Sequence, residues 1–260
     1  MKYTERQIEL NRYRKERKRK KARTIFTIFV CLFLSVGIVV TLFFAPAFNL
    51  VEVYVVGNAR LSEDEVIAAS ELRVRAGEIR GDNIFSTGTQ RIISNIMTLP
   101  YVQEANVRRV FPNRIRIWVR EKEPQAIIAY GEMFVVIDQT GLVLEVLQEQ
   151  YNLPIIRGLN VDRAIPGEIL TAGNSTNMYV GLLTLNEIIA NQMQENIISI
   201  DVTNLTQITL NYENRIRVIM GDTNNLAYRI MFLQNIVETI PSHEHGTLDM
   251  SLENPPFTND

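Results

Sequence analysis

Two histidines, His243 and His245, flank Glu244, and the chain has one cysteine, Cys31. A metal site needs three or four converging donors, yet side chains two residues apart point to opposite faces of a strand and diverge on a helix. The trio therefore reads as a solvated loop. The acidic pairs that could do acid–base work, Glu63-Asp64 and Glu121 with Glu123, fall at a helix start and a strand end, where surface charge is ordinary. The chain contains no G-x-S-x-G elbow, phosphate-binding loop or glycine-rich dinucleotide fingerprint. Catalysis is not expected, and neither is a metal, a cofactor or a small-molecule substrate.

The cluster that does stand out is basic. Arg108, Arg109, Arg114, Arg116 and Arg120 fall within 13 residues, with Trp118 among them, in an otherwise acidic part of the chain. A guanidinium is a planar, bidentate donor suited to carboxylates and phosphates, and tryptophan and arginine are both enriched at interfaces. Two readings stand: a face that docks an acidic partner segment or lipid headgroups, and a solvated sheet face.

The charge distribution explains where these residues sit. The first 23 residues carry eleven Lys and Arg against three acids, a net of +8, whereas the chain beyond Phe44 carries −10. Between them, Thr24 to Phe44 is 21 residues without a charge. As a helix it would be roughly 31 Å long, enough to cross a roughly 30 Å hydrocarbon core. Basic residues beside a span stay on the cytoplasmic side, so the expectation is a single-pass type II protein with its bulk outside the cytoplasm. Ala45-Pro46-Ala47 has the small-x-small form of a cleavage site, but the apolar run is longer than the roughly 7–15 residues of a signal-peptide core. Nucleic-acid binding by the tail is not expected, because aromatic interleaving is limited to Tyr3 and Tyr13. With Cys31 inside the span, the outer part has no intramolecular disulfide and must be held by packing.

Beyond the span, Val51, Val53 and Val55 alternate as a strand, and Gly57-Asn58 ends it. Ser62 and Glu65 have capping-box spacing, which predicts a helix over about 63–70. Ile92, Ile93, Ile96, Met97 and Leu99 predict a second helix that stops at Pro100. Tyr101 to Val110 reads as strand and Phe111-Pro112-Asn113 as a turn. The next strand places Ile115, Ile117 and Val119 on one face and Arg114, Arg116, Trp118 and Arg120 on the other. A strand, helix, helix, strand, strand unit results. Further on come a hairpin through Asp138–Gly141, a helix over 178–193, three strands near 198–202, 208–212 and 216–220, a striped helix over 226–240 ended by Pro241, and a last strand at Leu248, Met250 and Leu252.

Three stretches together resemble the bacterial division protein family FtsQ, called DivIB in many Gram-positive bacteria. They are Val53 to Gly57 after the anchor, LPYVQEANVRRVFPNRIRIWVREKEP from Leu99 to Pro124, and the Asp138 to Gly141 turn with the Leu248-Asp249-Met250 strand. The resemblance covers essentially the whole chain. It implies an α+β protein: a cytoplasmic basic tail (1–23), a transmembrane helix (24–44), a POTRA domain (48–122), a β-rich domain with flanking helices (123–252) and a disordered tail (253–260). It also implies a non-catalytic scaffold at the division septum that binds the small bitopic proteins FtsL and FtsB, the latter called DivIC in Gram-positives. Partner binding is expected on the last helix and strand, at Tyr228, Arg229, Thr247, Leu248, Asp249, Met250, Ser251 and Leu252. If that strand lies at a sheet edge, its free N–H and C=O groups could accept a partner strand. The runner-up function is a membrane-tethered cell-envelope enzyme or sensor.

Overall fold

The computed structural model describes residues 2–76, 81–149 and 151–259. The chain packs as two units. The first contains residues 1–56, 70–93 and 106–118, and the second residues 57–69, 94–105 and 119–260.

The first unit begins with α1 (Lys2–Phe44), one continuous helix that includes both the basic tail and the apolar run. Its stretch Arg23–Leu42, of mean hydropathy 2.8, is the one described helix long and apolar enough to cross a membrane. None of that stretch is covered by protein, and Phe26, Phe29 and Phe33 stand exposed, as a lipid-facing helix requires. A short 3₁₀ turn (Pro46–Phe48) then leads into β1 (Glu52–Val56). β1 joins β2 (Val102–Val110) and β3 (Arg114–Glu121) in a sheet of order β1-β3-β2, with β3 central and parallel to β1. β3 alternates as its sequence predicts, burying Ile115, Ile117 and Val119 and exposing Arg114, Arg116, Trp118 and Arg120. Of the two short helices of this β-α-α-β-β stretch, α2 (Glu63–Ala69) falls in the second unit and α3 (Thr89–Ile96) is divided between the two. The capping box forms in full: Ser62 N donates to Glu65 Oε2 at 2.8 Å, and Glu65 N donates to Ser62 Oγ at 3.2 Å. The hydrogen bonds from Ser62 hold the Glu65 carboxyl below the ordinary glutamate range.

The second unit is built on a mixed sheet of nine described strands. They are β4 (Ala126–Tyr130), β5 (Met133–Ile137), β6 (Val143–Leu147), β7 (Ile155–Arg157), β10 (Ile197–Asp201), β11 (Ile208–Tyr212), β12 (Ile216–Gly221), β13 (Gly246–Asp249) and β14 (Phe257–Asn259). A separate ribbon pairs β8 (Val161–Arg163) with β9 (Thr171–Ala172). The spatial order is β14-β13-β12-β11-β10-β7-β4-β5-β6. Three joints of this sheet are parallel and need crossovers: the β5–β6 hairpin lies in the link from β4 to β7, and helices lie in the other two. α4 (Ser175–Ala190) lies in the link from β7 to β10, and α5 (Leu226–Val237) connects β12 to β13. Their buried faces, including Leu185, Ile188, Ile230 and Leu233, join Ile156, Ile200, Leu210 and Val218 in the main core. Gly181 lets α4 settle close to the sheet, since a Cβ there would stand 3.0 Å from Cγ2 of Ile156.

A smaller cluster joins Tyr101, Ile127, Val136 and Leu144. At its rim the Tyr101 hydroxyl donates to Glu145 at 2.5 Å, and the Arg60 guanidinium lies over the rings of Tyr101 and Tyr151. Burial first, then the Glu145 hydrogen bond, pushes the Tyr101 hydroxyl well above the ordinary tyrosine range. The β5–β6 turn is built as its residues predict. Gly141 has φ +83°, and one carboxylate oxygen of Asp138 accepts from Thr140 N at 2.8 Å and Leu142 N at 3.0 Å.

Candidate partner-binding surfaces

The last helix and strand lie together as expected, but the strand is not at the edge. β13 pairs in parallel with β12, and on its other side antiparallel with β14, Thr247 opposite Thr258 and Leu248 opposite Phe257. This corrects the edge-strand expectation and that of a disordered tail over 253–260; Asp260 lies outside the described residues. The reason is that Pro255-Pro256 ends one extended segment without preventing the next, and Pro256 O accepts from Asp249 N at 3.1 Å.

The named residues divide by burial. Leu248 and Met250 belong to the core and contribute packing. Thr247 and Asp249 are half-buried within β13. Ser251 and Leu252 are exposed beyond it, and the Asp249 carboxylate accepts from both Ser251 N (2.9 Å) and Ser251 Oγ (2.6 Å), turning the chain toward β14. On α5, Tyr228 is 60% exposed and stacks on Phe232 with ring centroids 6.0 Å apart, while Met231 beside them is also exposed. Arg229 faces the other way, its guanidinium held by Asp222 (3.2 Å) and by the carbonyl of Asn224. A Cβ on Gly221 would come within 2.7 Å of Arg229 and 3.0 Å of Ser251, so Arg229 and the end of β13 flank the same glycine. Hydrogen bonds, that from the Asn224 backbone first, hold the Asp222 carboxyl below its ordinary range. Arg229 is thus a strut of the α5 start, and Tyr228 is the exposed side chain of the pair.

The five arginines are not one patch. Arg108, Arg116 and Trp118, with Asn106, line an open groove of about 360 Å³ on the exposed side of the β1-β3-β2 sheet. Arg116 Nε donates to the Tyr54 hydroxyl at 3.1 Å, with its guanidinium 5.2 Å from that ring. Arg114 pairs with Glu52 at 2.9 Å, Arg120 with Glu104, and Arg109 donates to Thr87 O at 2.6 Å. The neighbours of β3 therefore neutralise two of the five.

Glu121 has a role that its sequence position does not suggest. Its carboxylate accepts three successive backbone N–H groups, from Ala59 (2.9 Å), Arg60 (2.8 Å) and Leu61 (3.0 Å). Three converging donors fix the loop after β1. A carboxylate preceding Lys122 at a strand end carries no local signal of a partner about sixty residues away.

A helix long and apolar enough to span a membrane, a β-α-α-β-β unit and a mixed sheet with two crossover helices define the class: a two-domain α+β protein with an N-terminal candidate membrane helix. Comparison with known proteins gives the family. The POTRA domain of FtsQ type matches residues 48–122, and the C-terminal domain of cell division protein FtsQ/DivIB matches residues 126–251. Cell division protein DivIB of Clostridium tetani (strain Massachusetts / E88) is 30% identical over 231 residues, covering 86% of this chain and 84% of that protein. DivIB of Clostridium botulinum (strain Hall) is 27% identical over 249 residues, 93% of each. FtsQ of Syntrophotalea carbinolica is 29% identical over 132 residues, 50% of this chain and 44% of that protein. The chain belongs to the FtsQ/DivIB family of cell division proteins.

Proposed function

We propose that this chain is a non-catalytic scaffold of the division machinery, holding small bitopic proteins of the FtsL and FtsB/DivIC kind at the septum. The N-terminus is cytoplasmic and both outer domains lie across the membrane. The +8 tail ahead of the span and the −10 chain after it support that orientation.

The observation that carries the partner reading is the β13–β14 end of the sheet. β14 is three residues long, and among the described residues no strand covers its outer side. An unpaired edge offers backbone donors and acceptors to an added strand. Beside it, α5 exposes Tyr228, Met231 and Phe232, the kind of aromatic and methionine surface that interfaces favour. A partner supplying a short helix and a strand would meet both features.

The test is site-specific photocrosslinking in cells, with the probe placed in turn at Thr258, Tyr228 and, as a distant control, Thr140. Adducts with a small bitopic division protein are expected from the first two positions only. Adducts from Thr140 alone, or from no position, would overturn the assignment.

A further inference from the structure

β1 is the first strand after α1, and β3 lies parallel to it with Glu52 opposite Arg114. Parallel strands begin at the same end of a sheet. The β2–β3 turn at 111–113 is therefore at the end where the chain leaves α1. A hydrogen bond holds it there, Val51 N donating to Asn113 O (2.9 Å), and the same exit segment is fixed by Leu50 N to Asp82 O (2.7 Å), Arg75 N to Leu50 O (2.9 Å) and Ile84 N to Phe48 O (2.9 Å). The Asn83 amide also reaches Leu42 O, in the last turn of the apolar stretch, at 3.2 Å. The turn is tied to the helix exit by bonds as well as by chain length.

What stands out at that end is apolar and basic. Phe111 is 60% exposed and Val51 45%. Phe111 ends a row of three rings, with centroids 5.1 Å apart for Phe48 and Phe85 and 5.5 Å for Phe85 and Phe111. Arg108, Arg109 and Arg114, within three residues of the turn in the chain, are exposed, as is Arg75, whose N–H bonds to Leu50 O. Glu52 and Asp82 engage Arg114 and Arg73, and among the described residues no carboxylate pairs with Arg75, Arg108 or Arg109. An exposed aromatic ring with exposed arginines near it in the chain, three of them without a carboxylate partner, fits the boundary between acyl chains and anionic headgroups when the adjoining helix spans the membrane.

We infer that the β2–β3 turn is a second membrane attachment: Phe111 enters the outer-leaflet interface, and the arginines beside it meet lipid phosphates. The inference rests on α1 being a span. It makes the POTRA domain a membrane-seated module whose sheet is fixed relative to the bilayer at two points. The tethering supplies the argument for this occupant, since the lipid surface is already beside the turn while an acidic protein segment would have to arrive from elsewhere.

Lipid-resident bromine tests it in the full chain, reconstituted in vesicles of phosphatidylcholine and phosphatidylglycerol with bromines near the top of the acyl chains. Trp118 is the only tryptophan, so Trp118→Phe gives a silent background. Phe111→Trp in that background is expected to lose about half its emission to the shallow bromines. Val51→Trp repeats the measurement at an independent exposed position and is expected to be quenched as well. Leu34→Trp reports on the span itself. Quenching at Leu34→Trp with none at Phe111→Trp and Val51→Trp overturns the membrane attachment and leaves the acidic segment as the occupant. No quenching at any position overturns the span reading, and this inference with it.

Discussion

Glu121 shows how much one side chain can fix. Its carboxylate meets the N–H groups of Ala59, Arg60 and Leu61 together, so Glu121→Ala leaves three backbone donors without their acceptor. Leaving a buried donor unmet costs about 1–3 kcal/mol, and the loop's partial exposure lets water recover part of that. The expected loss is about 1–2 kcal/mol, read as a lower urea midpoint with an unchanged slope. An unchanged midpoint would mean that the loop is held some other way. Residue chemistry was legible in the sequence where partners are close along the chain. Ser62 with Glu65 and Asp138 with Thr140 form as their spacing predicts, because a capping box and an Asx turn each close within five residues. Glu121 was not readable as such, since its partners lie about sixty residues away, and Arg229 was not because its guanidinium folds back over the loop that starts α5, a course no spacing rule gives.

Among the elements, those with clean periodicity appear where the pattern predicts. β3 alternates over eight residues, and α5 keeps the stripe of Leu226, Ile230, Leu233 and Val237. The strands absent from the sequence reading are β4, β7, β14 and the β8–β9 ribbon, which lies in a stretch read as loop. β4 opens with the continuous apolar run Ala126-Ile127-Ile128, buried on both faces, and so shows no alternation. β7 and β14 are three residues each, too short for a period to register, and β14 follows two prolines. That omission matters, because β14 changes which edge is open. Gly246 offers a selective way to remove it. A Cβ there would stand 2.2 Å from Thr258 O and 3.0 Å from the Phe257 ring, a collision with β14. Gly246→Ala is expected to release β14 while the rest of the sheet stays formed. Amide exchange should then accelerate at Asp249, which donates to Pro256, and stay slow at Leu210 and Val218. Wild-type protection at Asp249 would show that β14 withstands the collision.

For the molecule as a whole, family and fold class were readable from the anchor, the Leu99 to Pro124 stretch and the order of elements. The C-terminal site was readable only as a region. Its true edge depends on a strand that periodicity cannot register, and three of its eight named residues turn out to be core (Leu248, Met250) or strut (Arg229). What remains is coherent at this scale: a helix long and apolar enough to span, a POTRA domain of FtsQ type, and a sheet with an open edge at β14 and an aromatic helix face on α5. The most direct measurement is recovery of a tagged FtsB/DivIC-like protein from membranes by the full chain and by a chain ending at Pro241. The account predicts that the full chain recovers the partner and the shortened chain loses it, while the Trp118 emission of the POTRA domain stays unchanged. Equal recovery by both, with that emission unchanged, would contradict it.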